Sequence, residues 1–328
     1  MKRPQHIAHL IATHAKAFNI EVLYFRPRDI DMERERVHGR IYREGKWVSV
    51  TTKIPKFNDV SAFCYRPDNL EALKYLKERS TVSEPGTNRF NKMKMQELLK
   101  KDGEFADIIP STKRVVSFEV LKDFLNELKM AILKPVGGQF GRSIFFIEKV
   151  DQAHYRIKFS NQDNVVSEQE FMTFYEEEIR DKKFIIQQYI NSMSKENYPF
   201  DCRINAEKDI NGKWTIARKF IRIGIGQSVV SNMSQGGAAM DAETFLKSNY
   251  PNKWEEINNK LEEIGRTLPY KVEELRNAQL MTIGIDIGID SDGQTYLFET
   301  NSAPGTTQLR AQVALLRVSY YRYMLGRV

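Results

Sequence analysis

Between Gly284 and Gly305 the chain reads GIDIGIDSDGQTYLFETNSAPG, two apolar segments joined by the polar turn Ser291-Asp292-Gly293 and each carrying an acid. Asp286 lies in the first segment. Glu299 and Asn301 lie two apart in the second, and residues i and i+2 share one face of a strand. Two carboxylates and an amide are hard oxygen ligands, a donor set that suits an octahedral Mg²⁺ that also holds phosphate oxygens. A solvated hairpin with scattered acids would have the same local composition.

Three further segments carry groups of the same chemistry. Residues 131–147 read as strand, glycine loop, strand. Lys134 stands at the end of the first strand, and Gly137, Gly138 and Gly141 let backbone N–H groups close around a polyphosphate. It is not a Walker loop, because the Gly-Lys-Ser/Thr ending is missing and Ile144-Phe145-Phe146-Ile147 has strand composition where a helix would follow. The apolar run Phe184-Ile185-Ile186 ends in Gln187-Gln188-Tyr189-Ile190. Either amide could pair with the exocyclic amine of adenine and the next two backbones with its ring nitrogens; a buried strand with amides at its rim reads equally well. In the third segment, Asp201 and Arg203 precede the turn 209–212 and a strand over 213–225, on which alternation predicts Trp214, Ile216, Arg218, Phe220 and Arg222 on one face. Arginines beside aromatic rings can stabilise charge on a transferred phosphoryl group or an oxyanion. On an edge strand they would merely snorkel. The amide-rich loop 229–237, with Asn232, resembles a second anion-contacting loop.

The elements that must position these groups alternate along the chain in mixed α/β layers. A helix over His6–Asn19 leads into a strand over Ile20–Phe25. Residues 37–42 and 46–50 flank the turn Arg43-Glu44-Gly45, Val60–Tyr65 is another short apolar run, and a helix follows Pro67. The polar connection Ser83–Asn88 marks a first domain boundary, giving an N-terminal unit 1–87. Phe90–Lys101 reads as a basic helix with Phe90, Met93, Met95, Leu98 and Leu99 as its apolar set. Leu309, Val313, Leu316 and Tyr320 recur at helical spacing in the tail. At 328 residues and 41% hydrophobic content the chain can bury a large core. Cys64 and Cys202 have no metal-type spacing, which fits a reducing compartment. No apolar run approaches the roughly 20 residues of a membrane span and the N-terminal residues lack a signal h-region, so a soluble, cytoplasmic protein is expected. A net charge of +7 favours anionic partners such as nucleotides, phosphates or acidic chains, but 43 acids interspersed among 50 bases argue against nucleic acid.

Taken in order, these motifs resemble the ATP-grasp superfamily from about Asn88 to Gly305. They comprise a basic helix, Lys-Pro with a glycine loop, an amide-ended hinge strand, Asp-x-Arg, Arg followed by Asn-x-x-x-Gly-Gly, and Asp thirteen residues before Glu-x-Asn-x-x-Pro-Gly. Within it, the Trp-containing strand, the Ser-Asn-Met-Ser-Gln-Gly-Gly loop and the Gly-Ile-Asp-Ile-Gly-Ile-Asp run resemble the YheC/YheD endospore coat-associated family. The resemblance implies an α/β (α+β) ATP-grasp fold. An N-terminal pre-ATP-grasp domain would precede a central subdomain over 88–188 with the glycine loop and a C-terminal subdomain over 189–328 with the metal site, the nucleotide lying between the two.

It further implies that Lys92 and Lys134 touch ATP phosphates beside the glycine loop, that Gln187, Gln188, Tyr189 and Ile190 frame adenine, and that Asp201 meets the ribose. Asp286, Glu299 and Asn301 would hold Mg²⁺, with Mn²⁺ an alternative. Arg203, Arg222 and Asn232 would serve the phosphoryl group and acyl phosphate. Many relatives carry an acid at the hinge where this chain has Gln187-Gln188. The implied reaction joins a carboxylate to an amine, with a peptide or amino-acid-like acceptor, through an acyl phosphate. The other readings are a non-catalytic, spore-associated nucleotide-binding protein and a kinase that stops after phosphoryl transfer.

Overall fold

A computed structural model describes residues 6–87, 89–136, 143–160, 162–224, 237–306 and 309–327, apart from the side chain of Lys92. The chain opens with α1 (His6–Ala15), β1 (Leu23–Tyr24), β2 (Ile30–Asp31) and the hairpin β3 (Arg36–Arg43) and β4 (Lys46–Lys53). One edge of β3 pairs with β4 along its length, and the other takes β2 at its start and β1 at its end. The strand expected over residues 20–25 is thus reduced to two residues. The apolar run 60–65 is a 3₁₀ turn over Ala62–Tyr65, short of strand partners. Next come β5 (Phe57–Asn58), α2 (Leu70–Arg79) and β6 (Thr81–Val82), with β5 and β6 parallel.

After α3 (Lys92–Asp102) the chain builds a six-stranded antiparallel sheet from β7 (Thr112–Arg114), α4 (Phe118–Leu128), β8 (Met130–Pro135), β9 (Phe145–Lys149), β10 (His154–Phe159), β11 (Gln162–Ser167), α5 (Glu168–Phe174) and β12 (Phe184–Gln188). Strand order is β11-β10-β9-β8-β12-β7. One face is dry because Leu121 and Phe124 of α4 and Phe171 of α5 pack on Leu133, Ile147 and Ile186. Ser117 and Ser167 start these helices by accepting from Val120 and Glu170 backbone N–H groups.

A second, five-stranded antiparallel sheet has the order β15-β14-β13-β16-β17. Its strands are β13 (Phe200–Lys208), β14 (Trp214–Ile223), β15 (Ala238–Asp241), β16 (Thr282–Ile289) and β17 (Thr295–Asn301). The helices α6 (Ala242–Asn249) and α7 (Trp254–Arg276) intervene between β15 and β16. Ile257, Leu261, Ile264 and Leu268 recur at helical spacing on α7 and bury one face of the sheet; Met95 and Leu99 of α3 join the same core. The tail is a helix, α8 (Arg310–Leu325), as its spacing predicts. α8 packs Val318, Tyr321 and Met324 against Ile11 and Ala15 of α1. Beneath it Arg317 reaches both Asp59 and the buried Glu207, and Tyr321 donates to Asp59 at 2.6 Å, so a charged network ties the N-terminal strands to the second sheet. Among the described residues no helix is long and apolar enough to cross a membrane.

Candidate functional site

Strand register decides which candidate side chains meet. On β13, β16 and β17 the cross-strand partners run Arg203, Asp286, Glu299 and, one step along, Asn205, Gly284, Asn301. On the other edge of β13, Arg222 of β14 stands opposite Asp201. Cross-strand partners share a face, so Asp201, Arg203, Arg222, Asp286, Glu299 and Asn301 all project from one side of the second sheet, away from α7.

Two bulges shape this sheet, and the first sets the convergence. Ile287 pairs with Leu297, but Asp286 pairs with Glu299, leaving Phe298 as an extra residue. Without that insertion Asp286 would face Phe298, and Glu299 would fall on the opposite face, since a one-residue slip inverts a strand. The Phe298 ring folds over Gly288, where an added Cβ would lie 2.1 Å from its Cζ. Gly288→Ala is therefore expected to force the ring off its seat at a cost of about 1–3 kcal/mol. Urea denaturation checks this, and an unchanged midpoint would show that the ring relocates freely.

The second bulge lies between the pairs Asn205–Arg218 and Ala206–Ile216, where Ala217 is extra. It corrects the expected stripe on β14. Trp214 and Ile216 pack with Ile221 and Ile223 in the α7 core, while Phe220 packs with Ala217 against Leu309 and Val313 on the other side. Simple alternation across 214–222 fails because the extra residue reverses the faces halfway.

The charged groups form a compact quartet. Arg203 donates to both Asp286 oxygens, from Nε to Oδ1 and from Nη2 to Oδ2 at 2.9 Å. Arg222 donates from Nε to Asp201 Oδ1 at 2.7 Å and from Nη2 to Asp201 Oδ2, and its Nη2 also lies 3.0 Å from Asp286 Oδ2. Asp201 and Asp286 are only 6% and 4% exposed. Burial pushes the Asp201 carboxyl above its usual range, because the single guanidinium facing it only partly offsets lost hydration. Asp286 suffers the same burial but stands between Arg222 and Arg203, which together hold it below the usual range. Arg222 is held firmly charged: burial opposes its charge, but Asp201 and Asp286 outweigh it. Asn205 is fully buried on the same face, and neither polar atom of its side chain has a partner among the described residues.

Asn301 Nδ2 donates to Glu299 Oε1 at 2.7 Å. Among the described residues no group of three or more His, Cys, Asp or Glu side chains stands together as a metal centre. The candidate set instead comprises two carboxylates and an amide. It fits a hard cation: a carboxylate oxygen has two lone pairs, so Asp286 Oδ1, which accepts from Arg203, keeps capacity for a second partner.

The six-stranded sheet carries the other candidate residues. Lys134 at the end of β8 donates from Nζ to Gln187 Oε1 on β12 at 2.7 Å. Gln187 Nε2 in turn donates to Thr112 Oγ1 at 2.9 Å and to Gln96 Oε1 at 3.2 Å. Gln188 is held by Ser111 backbone atoms on either side, and Tyr189 packs edge-on against Phe146 with ring centroids 4.8 Å apart. Ile190 is buried at the strand exit. Lys92 opens α3, with Asn91 as its cap. Gly137, Gly138, Gly141 and Asn232 lie outside the described residues, as does the Lys92 side chain.

Gln96 and the bulge residue Phe298 were not singled out by sequence reasoning. A signal for the first existed: Gln96 lies one residue after Met95 and three before Leu99, inside the buried stripe of α3, where an amide must find partners.

A sequence profile of the YheC/D like ATP-grasp family matches residues 85–325. Endospore coat-associated protein YheC of Bacillus subtilis (strain 168) is 26% identical over 318 residues, covering 94% of this chain and 86% of the relative. Endospore coat-associated protein YheD of the same organism is 25% identical over 292 residues, 86% of this chain and 64% of the relative, so the chain spans less than two thirds of that protein. Among solved structures, ATP-grasp ligase PsnB complexed with minimal precursor superposes with a TM-score of 0.53 at 11% identity, over 98% of this chain and 97% of that one. Two antiparallel sheets, a fold likeness over nearly the whole chain and a profile match over most of it converge: the chain belongs to the YheC/D like ATP-grasp family and has its α+β ATP-grasp fold.

Proposed function

We propose that this chain is an ATP-dependent ligase that joins a carboxylate to an amine through an acyl phosphate. The observation that carries the reading is the buried Asp201–Arg222–Asp286–Arg203 quartet sharing one sheet face with Glu299 and Asn301. Four buried charges held in a fixed arrangement on the face that carries the candidate metal residues can stabilise charge developing on a transferred phosphoryl group. Carboxylates are poor electrophiles at neutral pH. Attack of a carboxylate oxygen on the γ-phosphorus expels ADP and forms an acyl phosphate. Attack of an amine nitrogen on the acyl carbon then expels phosphate, with the nitrogen losing its proton to solvent. Arg203 and Arg222 would neutralise charge on the in-flight phosphoryl oxygens, and Lys134 with Lys92 and the glycines 137, 138 and 141 would hold the chain of phosphates. Asp286, Glu299 and Asn301 would hold Mg²⁺, or Mn²⁺, whose Lewis acidity would neutralise the β- and γ-oxygens. Asn232 would stand with the arginines.

Adenine is proposed at Gln188, Tyr189 and Ile190. The Gln187 side chain is engaged by Lys134, Thr112 and Gln96, and so serves better as the support of Lys134. Asp201 is proposed to orient Arg222, its partner through both oxygens, in preference to the ribose. The boundaries near 87 and 188 are retained on this reading. Another structure of ATP-grasp ligase PsnB is described as complexed with precursor peptide PsnA2 and AMPPNP, and by that likeness a peptide is the acceptor we favour. Cytoplasmic synthesis followed by association with the spore is proposed from the naming of YheC and YheD.

The pairing of Asp286 with two arginines favours a second reading, in which the fold binds nucleotide without turnover. Incubating the full chain with cell extract and labelled ATP, then identifying products by mass spectrometry, separates the readings. The ligase produces ADP together with a condensed carboxylate–amine product. ADP with a phosphorylated compound and no ligated partner would mean a kinase. Nucleotide binding by calorimetry with no turnover would favour the second reading.

A further inference from the structure

Gln96 on α3 joins the two halves of the site. Its side chain is 5% exposed and fully engaged: Oε1 accepts from Gln187 Nε2 at 3.2 Å, and Nε2 donates to the carbonyls of Leu297 and Phe298 at 3.1 Å each. Gln187 Oε1 accepts from Lys134 Nζ at 2.7 Å. The result is an unbroken line of hydrogen bonds from the lysine of the first sheet, through two buried amides, to the backbone of β17.

The line has a definite sense. An ammonium only donates and a carbonyl only accepts, so both ends impose the same orientation on the amides between them. Lys134 turns the Gln187 oxygen towards itself, which sends the Gln187 nitrogen to Gln96. The Gln96 nitrogen is thereby left for the carbonyls, and no member is frustrated. Such a chain is stiffened by mutual polarisation, and each buried amide in it is costly to leave unpaired.

The carbonyls it reaches belong to the bulge. Leu297 is the last residue in one register of β16–β17, Phe298 is the insertion, and Glu299 begins the other register opposite Asp286. An inserted residue disrupts the ladder locally. Gln96 takes up carbonyls at that point, and so holds the kink that turns Glu299 towards Asp286.

We propose that Gln96 is a positioning residue that couples Lys134, where the polyphosphate binds, to Glu299 on the far side of the nucleotide. The inference rests on the nucleotide-binding reading above and adds to it that the two halves do not act independently. When phosphate oxygens compete for the Lys134 ammonium, Gln187 and Gln96 readjust, and the bulge feels the change.

A double-mutant cycle tests this on the full chain, with ADP and Mg²⁺ as the probe and affinity read by calorimetry. Lys134→Ala and Glu299→Gln are measured singly and together, in the otherwise natural chain and again with Gln96→Met. Methionine matches glutamine in length and fills the same space without an amide. The natural chain should show a coupling of about 3- to 30-fold between the two sites, and Gln96→Met should bring it close to one. A merely space-filling role for Gln96 predicts unchanged coupling, and that result would overturn the inference. Gln96→Leu provides a second route if the methionine variant folds poorly. It neither accepts from Gln187 nor donates to Leu297 and Phe298, so it too should lose the coupling; retention there would equally overturn the idea. Failure of the natural chain to bind ADP at all would instead remove the nucleotide-binding reading itself.

Discussion

Glu299→Gln is expected to abolish ADP formation, by on the order of 10²-fold or more, while leaving stability nearly unchanged. Glutamine has the same shape and still presents an oxygen to Asn301, whose Nδ2 donates to Glu299 Oε1 at 2.7 Å. What changes is one negative charge on the face that also holds Asp286. If that charge helps anchor a cation against the β- and γ-phosphates, its loss leaves the reacting oxygens less neutralised in the transition state. Glu299 is only half-buried, so the neutral amide carries little desolvation penalty in the fold. Turnover of ATP with extract or a defined substrate pair, alongside urea denaturation, gives both readouts. Full turnover in this variant would sink the assignment of Glu299 to the metal end of the site.

Arg222→Met should lose both activity and stability. The guanidinium is shared by Asp201 and Asp286, so among the described residues truncation leaves Asp201 buried with no cation in contact and Asp286 with Arg203 alone. Breaking a buried pair from one side typically costs about 3–5 kcal/mol, enough to move a urea midpoint well outside error. The cost arises from the stranded carboxylate, which yields a sharper test. Adding Asp201→Leu to Arg222→Met removes the stranded charge and should restore most of the lost stability. Activity should stay absent, because no group then replaces the guanidinium at the phosphoryl oxygens. Recovery of turnover in the double variant would show that Arg222 serves the fold and not the chemistry.

Much of the candidate site could be read from residue types and order. Lys134 before a glycine loop, Asp201 and Arg203 two apart, and Asp286 followed by Glu299 and Asn301 already offer cations suited to phosphate and a set of hard oxygens. The strands carrying them were equally legible, because apolar runs bounded by turns such as Ser291-Asp292-Gly293 leave few other folds open. The face of each side chain was less legible. Period-two counting placed Trp214, Ile216, Phe220 and Arg222 together, but the extra residue at Ala217 sends the first two into the α7 core and Phe220 to the opposite side. A bulge is selected by what packs on both faces of a sheet, and no local composition announces it.

The sequence by itself determined the inventory: the fold family, most of the long strands in outline, and the acids, arginines and lysine available to the candidate site. Only the tertiary structure decided how they are wired. The Phe298 bulge puts Glu299 on the same face as Asp286, Arg222 is divided between Asp201 and Asp286, and Gln96, 201 residues from Leu297 along the chain, spans the two sheets. The reason is physical. Which residues can bind phosphate or metal follows from their own functional groups, whereas register, charge pairing and buried amide partners depend on which distant segments pack together to exclude water.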